Sequence, residues 1–89
     1  MQKQKITIIN KLGLHARAAS KFAQTSSRFS SDVKVLCQGK FVDGKSVMAL
    51  MLLAAGKGTK LELEIHGADE GAALTAICAL IDDRFGEAE

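Results

Sequence analysis

The chain has 89 residues, 47% of them hydrophobic and 25% charged, with a net charge of +2. This length suits one domain over residues 1–89 with a single two-layer core, and the weak charge and four aromatics, all Phe, count against the basic, ring-bearing surface of a nucleic-acid binder. No signal-type leader or apolar run of membrane-spanning length is seen, so the chain is expected to be cytoplasmic and to work away from membranes.

Lys5 to Ile9 reads as a first strand, with Ile6 and Ile8 on one face. Asn10 to Gly13 forms a loop. A helix is expected from Ala16 to about Arg28, where Ala19, Phe22 and Ala23 recur at the spacing of one buried stripe. Ser26, Ser27, Ser30 and Ser31 mark its end. Asp32 to Cys37 is a second strand with Val33, Val35 and Cys37 on one face. Gln38-Gly39-Lys40 reads as a hairpin turn into a short third strand at Phe41 and Val42, which Asp43-Gly44-Lys45 ends. Ser46 is expected to cap a second helix, Val47 to Ala55, stopped by Gly56 and Gly58. Leu50, Leu53 and Ala54 are expected to face the sheet.

Lys60 to His66 is the clearest strand, since Leu61, Leu63 and Ile65 alternate with Glu62, Glu64 and a wet His66. Asp69 then caps a last helix, lined on one side by Leu74, Ile77, Cys78, Ile81 and Phe85. Cys37 and Cys78 lie far apart on apolar registers without metal-ligand spacing, and read as buried free thiols. No metal site and no cofactor motif are found. The order β-α-β-β-α-β-α, with one-sided strands and helices, implies an α+β sandwich of two layers.

His15 and Arg17 sit where the first strand gives way to the first helix. Histidine is a poor cap, because Ser, Thr, Asp and Asn satisfy helix N–H groups better. The first N–H groups of a helix have no internal partner and carry partial positive charge. They disfavour a cationic ring beside them, which leaves one ring nitrogen with a lone pair able to attack phosphorus. Once a phosphoryl group is attached, the same N–H groups face an anion. Arg17 adds a charged donor fork suited to phosphate oxygens. Without a phosphate-cradling glycine loop, the chain needs one partner to donate the group and another to accept it.

The run Gly13-Leu14-His15-Ala16-Arg17-Ala18-Ala19-Ser20 resembles the active-site signature of the histidine-containing phosphocarrier (HPr) family of the bacterial phosphotransferase system. Gly44-Lys45-Ser46-Val47-Met48-Ala49-Leu50-Met51 resembles that family's serine-centred segment, in register with the first motif, and the likeness covers nearly the whole chain. The resemblance implies an open-faced sandwich with a four-stranded antiparallel sheet in order 1-4-2-3 and three helices on one face. It implies that His15 accepts phosphate on Nδ1 from the phosphoenolpyruvate-dependent first enzyme and passes it to a second-enzyme component. Arg17 assists, and the backbone of Ala16 and Arg17 holds the group. The chain is then a stoichiometric relay rather than a turnover enzyme. Ala18 stands where the family usually has proline, which leaves one more N–H in the first turn.

By the same resemblance, Ser46 matches a serine that a regulatory kinase modifies in some bacteria; as a helix cap it also has a structural use. Spacing alone suits Val47, Met48 and Met51 to the core as well as to the surface; the resemblance favours an outward apolar docking patch, rimmed by Lys45 and Lys21. A monomer is the simpler expectation for a transiently docking carrier. The competing reading is a non-catalytic, ferredoxin-like ligand-sensing or binding module. The acceptor, whether a sugar permease component or a nitrogen-related regulatory branch, is left open.

Overall fold

Leu61, Leu63 and Ile65 form the spine of the fold. They lie on a central strand, and each is at most 2% exposed. The computed structural model describes residues 1–89. Its elements are β1 (Gln2–Thr7), α1 (Ala16–Ser27), β2 (Asp32–Cys37), β3 (Lys40–Asp43), α2 (Val47–Leu52), β4 (Lys60–His66) and α3 (Glu70–Asp82), followed by a short turn of 3-10 helix at Arg84–Gly86. The four strands form one antiparallel sheet in the order β1-β4-β2-β3.

Alternation decides the layering. Val33 and Val35 of β2 join Leu61, Leu63 and Ile65 on the buried face, against Phe22 of α1, Leu50 of α2, Ile77 of α3 and Phe85. The other face is open and carries a charge-matched ladder. Lys5 stands opposite Glu62, and Lys3 and Lys34 both flank Glu64. Opposite charges across neighbouring strands favour this register. The open-faced α+β sandwich expected from the sequence is the fold observed, with the three helices covering one face.

Several boundaries differ from the sequence reading. β1 runs over Gln2–Thr7 instead of Lys5–Ile9, because β4 is long enough to pair the polar Gln2, Lys3 and Gln4 through Ile65, Glu64 and Leu63. Ile8 lies past the ladder yet is fully buried. Its main chain is held by Thr59 O at 2.9 Å and Gly58 N at 2.7 Å. α2 ends at Leu52, short of the expected Ala55 and its following glycines. Ala54 takes a left-handed φ of 50°, which turns it out to solvent and sends Ala55 inward. Of the residues assigned to the sheet side, Leu50 is buried, Leu53 is partly buried and Ala54 is exposed.

Asp69 occupies the N-cap position of α3, but its side chain makes no cap hydrogen bond. Its carboxylate instead accepts from Ser30 N at 2.9 Å, Ser31 N at 3.0 Å and the Ser31 hydroxyl. The Ser31 hydroxyl, then the Ser30 amide, holds this carboxyl down at about 2. The contact ties the turn after α1 to the turn after β4. Phe85 lies beyond α3, in the left-handed conformation with φ 56° and fully buried. Cys37 is buried as expected, whereas Cys78 is only partly so; both are free.

Candidate functional site

The loop before α1 is fixed by close backbone packing. Asn10 O accepts from Gly13 N at 3.2 Å, and Leu14 N donates to Ala55 O at 2.8 Å. Gly13 has φ +67°, and a Cβ there would fall 2.3 Å from Ala55 O. Only glycine tolerates both the conformation and the approach. The left-handed turn at Ala54 that shortens α2 is therefore the same feature that presents the Ala55 carbonyl to the loop.

His15 follows as the N-cap of α1, with extended φ −73° and ψ 178° and no side-chain cap bond. Its main-chain oxygen accepts from Ala19 N at 2.8 Å, which starts the helix. The N–H groups of Ala16, Arg17 and Ala18 make no hydrogen bond within the chain. His15 thus stands at an electropositive helix mouth, as its placement in the sequence suggests. Arg17 and Ala16 are exposed in that first turn, whereas Ala18 is fully buried.

The sequence reading missed the partner of the ring. His15 Nε2 lies 2.5 Å from Glu87 Oε2, and Asn10 Nδ2 holds the other carboxylate oxygen at 3.0 Å. Burial pushes the Glu87 carboxyl up, but the hydrogen bonds from His15 and Asn10 and the charges of His15 and Lys21 outweigh it and leave the group below its ordinary value. Read along the chain, Glu87 is one acid among Asp82, Asp83 and Glu89. The turn at Arg84–Gly86 reverses the chain there and sends the tail over the site. Lys11 N donates to a main-chain oxygen of Glu89, and Lys11 Nζ lies 3.4 Å from its side-chain carboxylate. His15, Arg17, Lys11, Glu87 and Glu89 line a shallow depression of about 740 Å³. Nδ1 of His15 makes no hydrogen bond within the chain.

Ser46 is the N-cap of α2, and its hydroxyl accepts from Ala49 N at 3.2 Å. Around it, Met48 is 75% exposed and Met51 43%, in keeping with an outward patch. Val47 differs, being partly buried against the core. Leu52 and Leu12 are exposed and extend the patch. A smaller depression joins His15, Leu12 and Met51, so the apolar surface reaches the histidine. The two lysines assigned to the rim are engaged elsewhere. Lys21 Nζ donates to Phe85 O at 2.6 Å, and Lys45 Nζ donates to Phe29 O at 2.9 Å. No helix of the chain is long and apolar enough to cross a membrane.

Comparison with known proteins identifies the family. The family described as "PTS HPr component phosphorylation site" matches residues 2–83. The chain is similar to the phosphocarrier protein HPr of Neisseria meningitidis serogroup A, at 58% identity over 89 residues and the full length of both chains. It is also similar to the crystal structure of an HPr from Thermoanaerobacter tengcongensis, with TM-score 0.96, 43% identity and complete coverage of both chains. A structure of an HPr dimer from the same organism matches with TM-score 0.79 and 44% identity, over 98% of this chain and 100% of that one.

Proposed function

The chain belongs to the HPr family of phosphotransferase-system phosphocarriers, and we propose that it carries its phosphoryl group on Nδ1 of His15. The observation that supports this most is the pairing of Nε2 with Glu87 at 2.5 Å beside three unpartnered helix N–H groups. An ionised carboxylate only accepts hydrogen bonds, so Nε2 bears a proton, and in the neutral ring Nδ1 then keeps the lone pair.

That lone pair forms the new P–N bond, while the bond between phosphorus and the donor breaks and its electron pair leaves with the donor. The ring then carries positive charge, and its Nε2–H remains on Glu87. The phosphoryl oxygens face the N–H groups of Ala16, Arg17 and Ala18 and the Arg17 guanidinium. On delivery the P–N electron pair returns to Nδ1. The donor is the phosphoenolpyruvate-dependent first enzyme of the system and the acceptor a second-enzyme component. Met48 and Met51, with Leu52 and Leu12, form the docking surface for both. The carrier works as a single domain and as a monomer.

The test mixes the protein with the donor enzyme and phosphoenolpyruvate. One equivalent of acid-labile, base-stable phosphate is expected, and none in His15→Ala. Wild-type levels of uptake in His15→Ala would refute the assignment.

Ser46 carries a second reading, as the target of a serine kinase and phosphorylase. Its hydroxyl is partly exposed at a helix start beside Met48. A phosphate there is tolerated by the helix and places charge in the docking patch, where it opposes binding of the donor. Uptake of phosphate from a cognate serine kinase, lost in Ser46→Ala, tests it.

A further inference from the structure

Asn10 is a fully buried amide in the turn ahead of the histidine. Its Nδ2 donates to Gly13 O at 2.8 Å and to Glu87 Oε1 at 3.0 Å. Its Oδ1 makes no hydrogen bond within the protein. Both neighbours of Nδ2 are acceptors, so only the amino end of the amide can face them. A buried amide with an unpaired oxygen costs stability that a small apolar side chain avoids. Asn10 is therefore a poor space-filler. What it supplies is a pair of donors, one aimed at the loop that places His15 and the other at the carboxylate that holds the ring.

We propose that Asn10 is a positioning residue of the phosphoryl relay, acting through Glu87. The proposal rests on the reading of His15 as the phosphoryl acceptor. A free carboxylate on a chain tail rotates and offers either oxygen to the ring in many geometries. Asn10 removes that freedom, since one oxygen is held by the amide and the other is left for Nε2 of His15. The ring is thereby held as the Nε2–H tautomer with the lone pair on Nδ1. The second donor bond, to Gly13 O, ties the same amide to the left-handed turn that sets the start of α1. Loop, tail and ring are thus referred to one buried group. No proton moves in this arrangement: the Nε2–H stays shared with Glu87 before and after the P–N bond forms.

The experiment uses the full chain with ¹⁵N-labelled histidine in mildly alkaline buffer without donor. The variants are Asn10→Ala, Asn10→Asp, Glu87→Gln and Asn10→Ala combined with Glu87→Gln. In the wild type the Nε2–H tautomer dominates. Asn10→Ala lowers the tautomer ratio about fivefold, and slows phosphoryl uptake by a similar factor, the size set by one hydrogen bond. In the Glu87→Gln background the same substitution leaves the tautomer ratio unchanged, because the group through which it sets the tautomer is gone. Should Asn10→Ala fail to fold, the nearly isosteric Asn10→Asp replaces it. That variant loses the donor, sets like charge against Glu87 and is expected to show the same loss. A wild-type tautomer ratio in Asn10→Ala or Asn10→Asp, or an undiminished effect in the Glu87→Gln background, would overturn the proposal. The tautomer is read without phosphate, so it judges Asn10 separately from the relay. A wild type that takes up no phosphate on His15 would instead count against the relay.

Discussion

Glu87 Oε2 meets His15 Nε2 at 2.5 Å, although 72 positions separate the two residues in the chain. The contact depends on a tail turned back by three successive left-handed residues, Arg84, Phe85 and Gly86. Phe85 anchors that turn in the core, and Lys21 Nζ grips its carbonyl at 2.6 Å. The ring thus stands between two opposite influences. The helix mouth presents partial positive charge on one side, and the carboxylate fixes a proton on Nε2 on the other. On the proposed relay, this combination suits an Nδ1 lone pair before transfer and a charged, phosphorylated ring afterwards.

Gly13 is the residue on which the placement of the ring depends. Gly13→Ala puts a Cβ against the Ala55 carbonyl and forces alanine into a left-handed backbone. It is expected to cost about 2–4 kcal/mol of stability and to slow phosphoryl uptake. Denaturant unfolding together with the uptake rate checks this. Stability within error of the wild type would mean that the loop does not pack as described.

Ser46 caps α2 through Ala49 N. Ser46→Ala is expected to lose about 1 kcal/mol, a fall in Tm of about 4–8 °C for a domain of this size. Ser46→Asp retains a capping acceptor, so its melting temperature should stay closer to that of the wild type. Its charge in the docking patch should nevertheless slow uptake from the donor enzyme. Melting curves and uptake rates on the same two variants separate the structural role from the docking role.

Met48 is the most exposed of the three methionine and valine positions in the docking segment and lies in the first turn of α2. An acid there is compatible with the helix start. Met48→Asp is therefore expected to change stability by no more than about 0.5 kcal/mol while slowing transfer from the donor about tenfold. Unchanged transfer in a folded Met48→Asp would place the docking surface elsewhere.

Asp69 makes the fold sensitive to acid. Its carboxyl is lowered from an ordinary 3.8 to about 2 by the Ser31 hydroxyl and the Ser30 amide. The unfolded chain binds a proton first as pH falls, so the contribution of this contact is whole above 3.8 and is lost progressively toward about 2. Asp69→Asn should be less stable at neutral pH and should lose less further stability across that interval. Urea unfolding at a series of pH values measures both slopes, and parallel slopes would contradict the assignment.

Much of this molecule is legible in its sequence. Strict alternation from Leu61 to Ile65 marks β4, and the stripe of Ala19, Phe22 and Ala23 marks α1. Local chemistry also places His15 at a helix start and Ser46 at another, because caps and breakers act within a few residues. What escaped is long-range. Gln2 to Gln4 have little strand propensity of their own and pair because β4 offers them partners. The end of α2 is set by a left-handed turn at Ala54 that sends Ala55 inward, ahead of the glycines that mark a stop in the sequence. Asp69 prefers the amides of Ser30 and Ser31, 38 to 39 positions away, to its own helix. Glu87 likewise reaches the site only through the folded tail, and Asn10, although local to the loop, shows its use only once Glu87 is in place. The proposed nucleophile is thus legible in local sequence, while the carboxylate that meets its ring is not.

The position of the phosphorus atom tests the account most directly. The protein is labelled with ¹⁵N in its histidines, phosphorylated by the donor enzyme and phosphoenolpyruvate, and examined for coupling between ³¹P and the ring nitrogens of His15. The account predicts coupling to Nδ1, with the proton retained on Nε2. Phosphorus bonded to Nε2, or found on any residue other than His15, would contradict it.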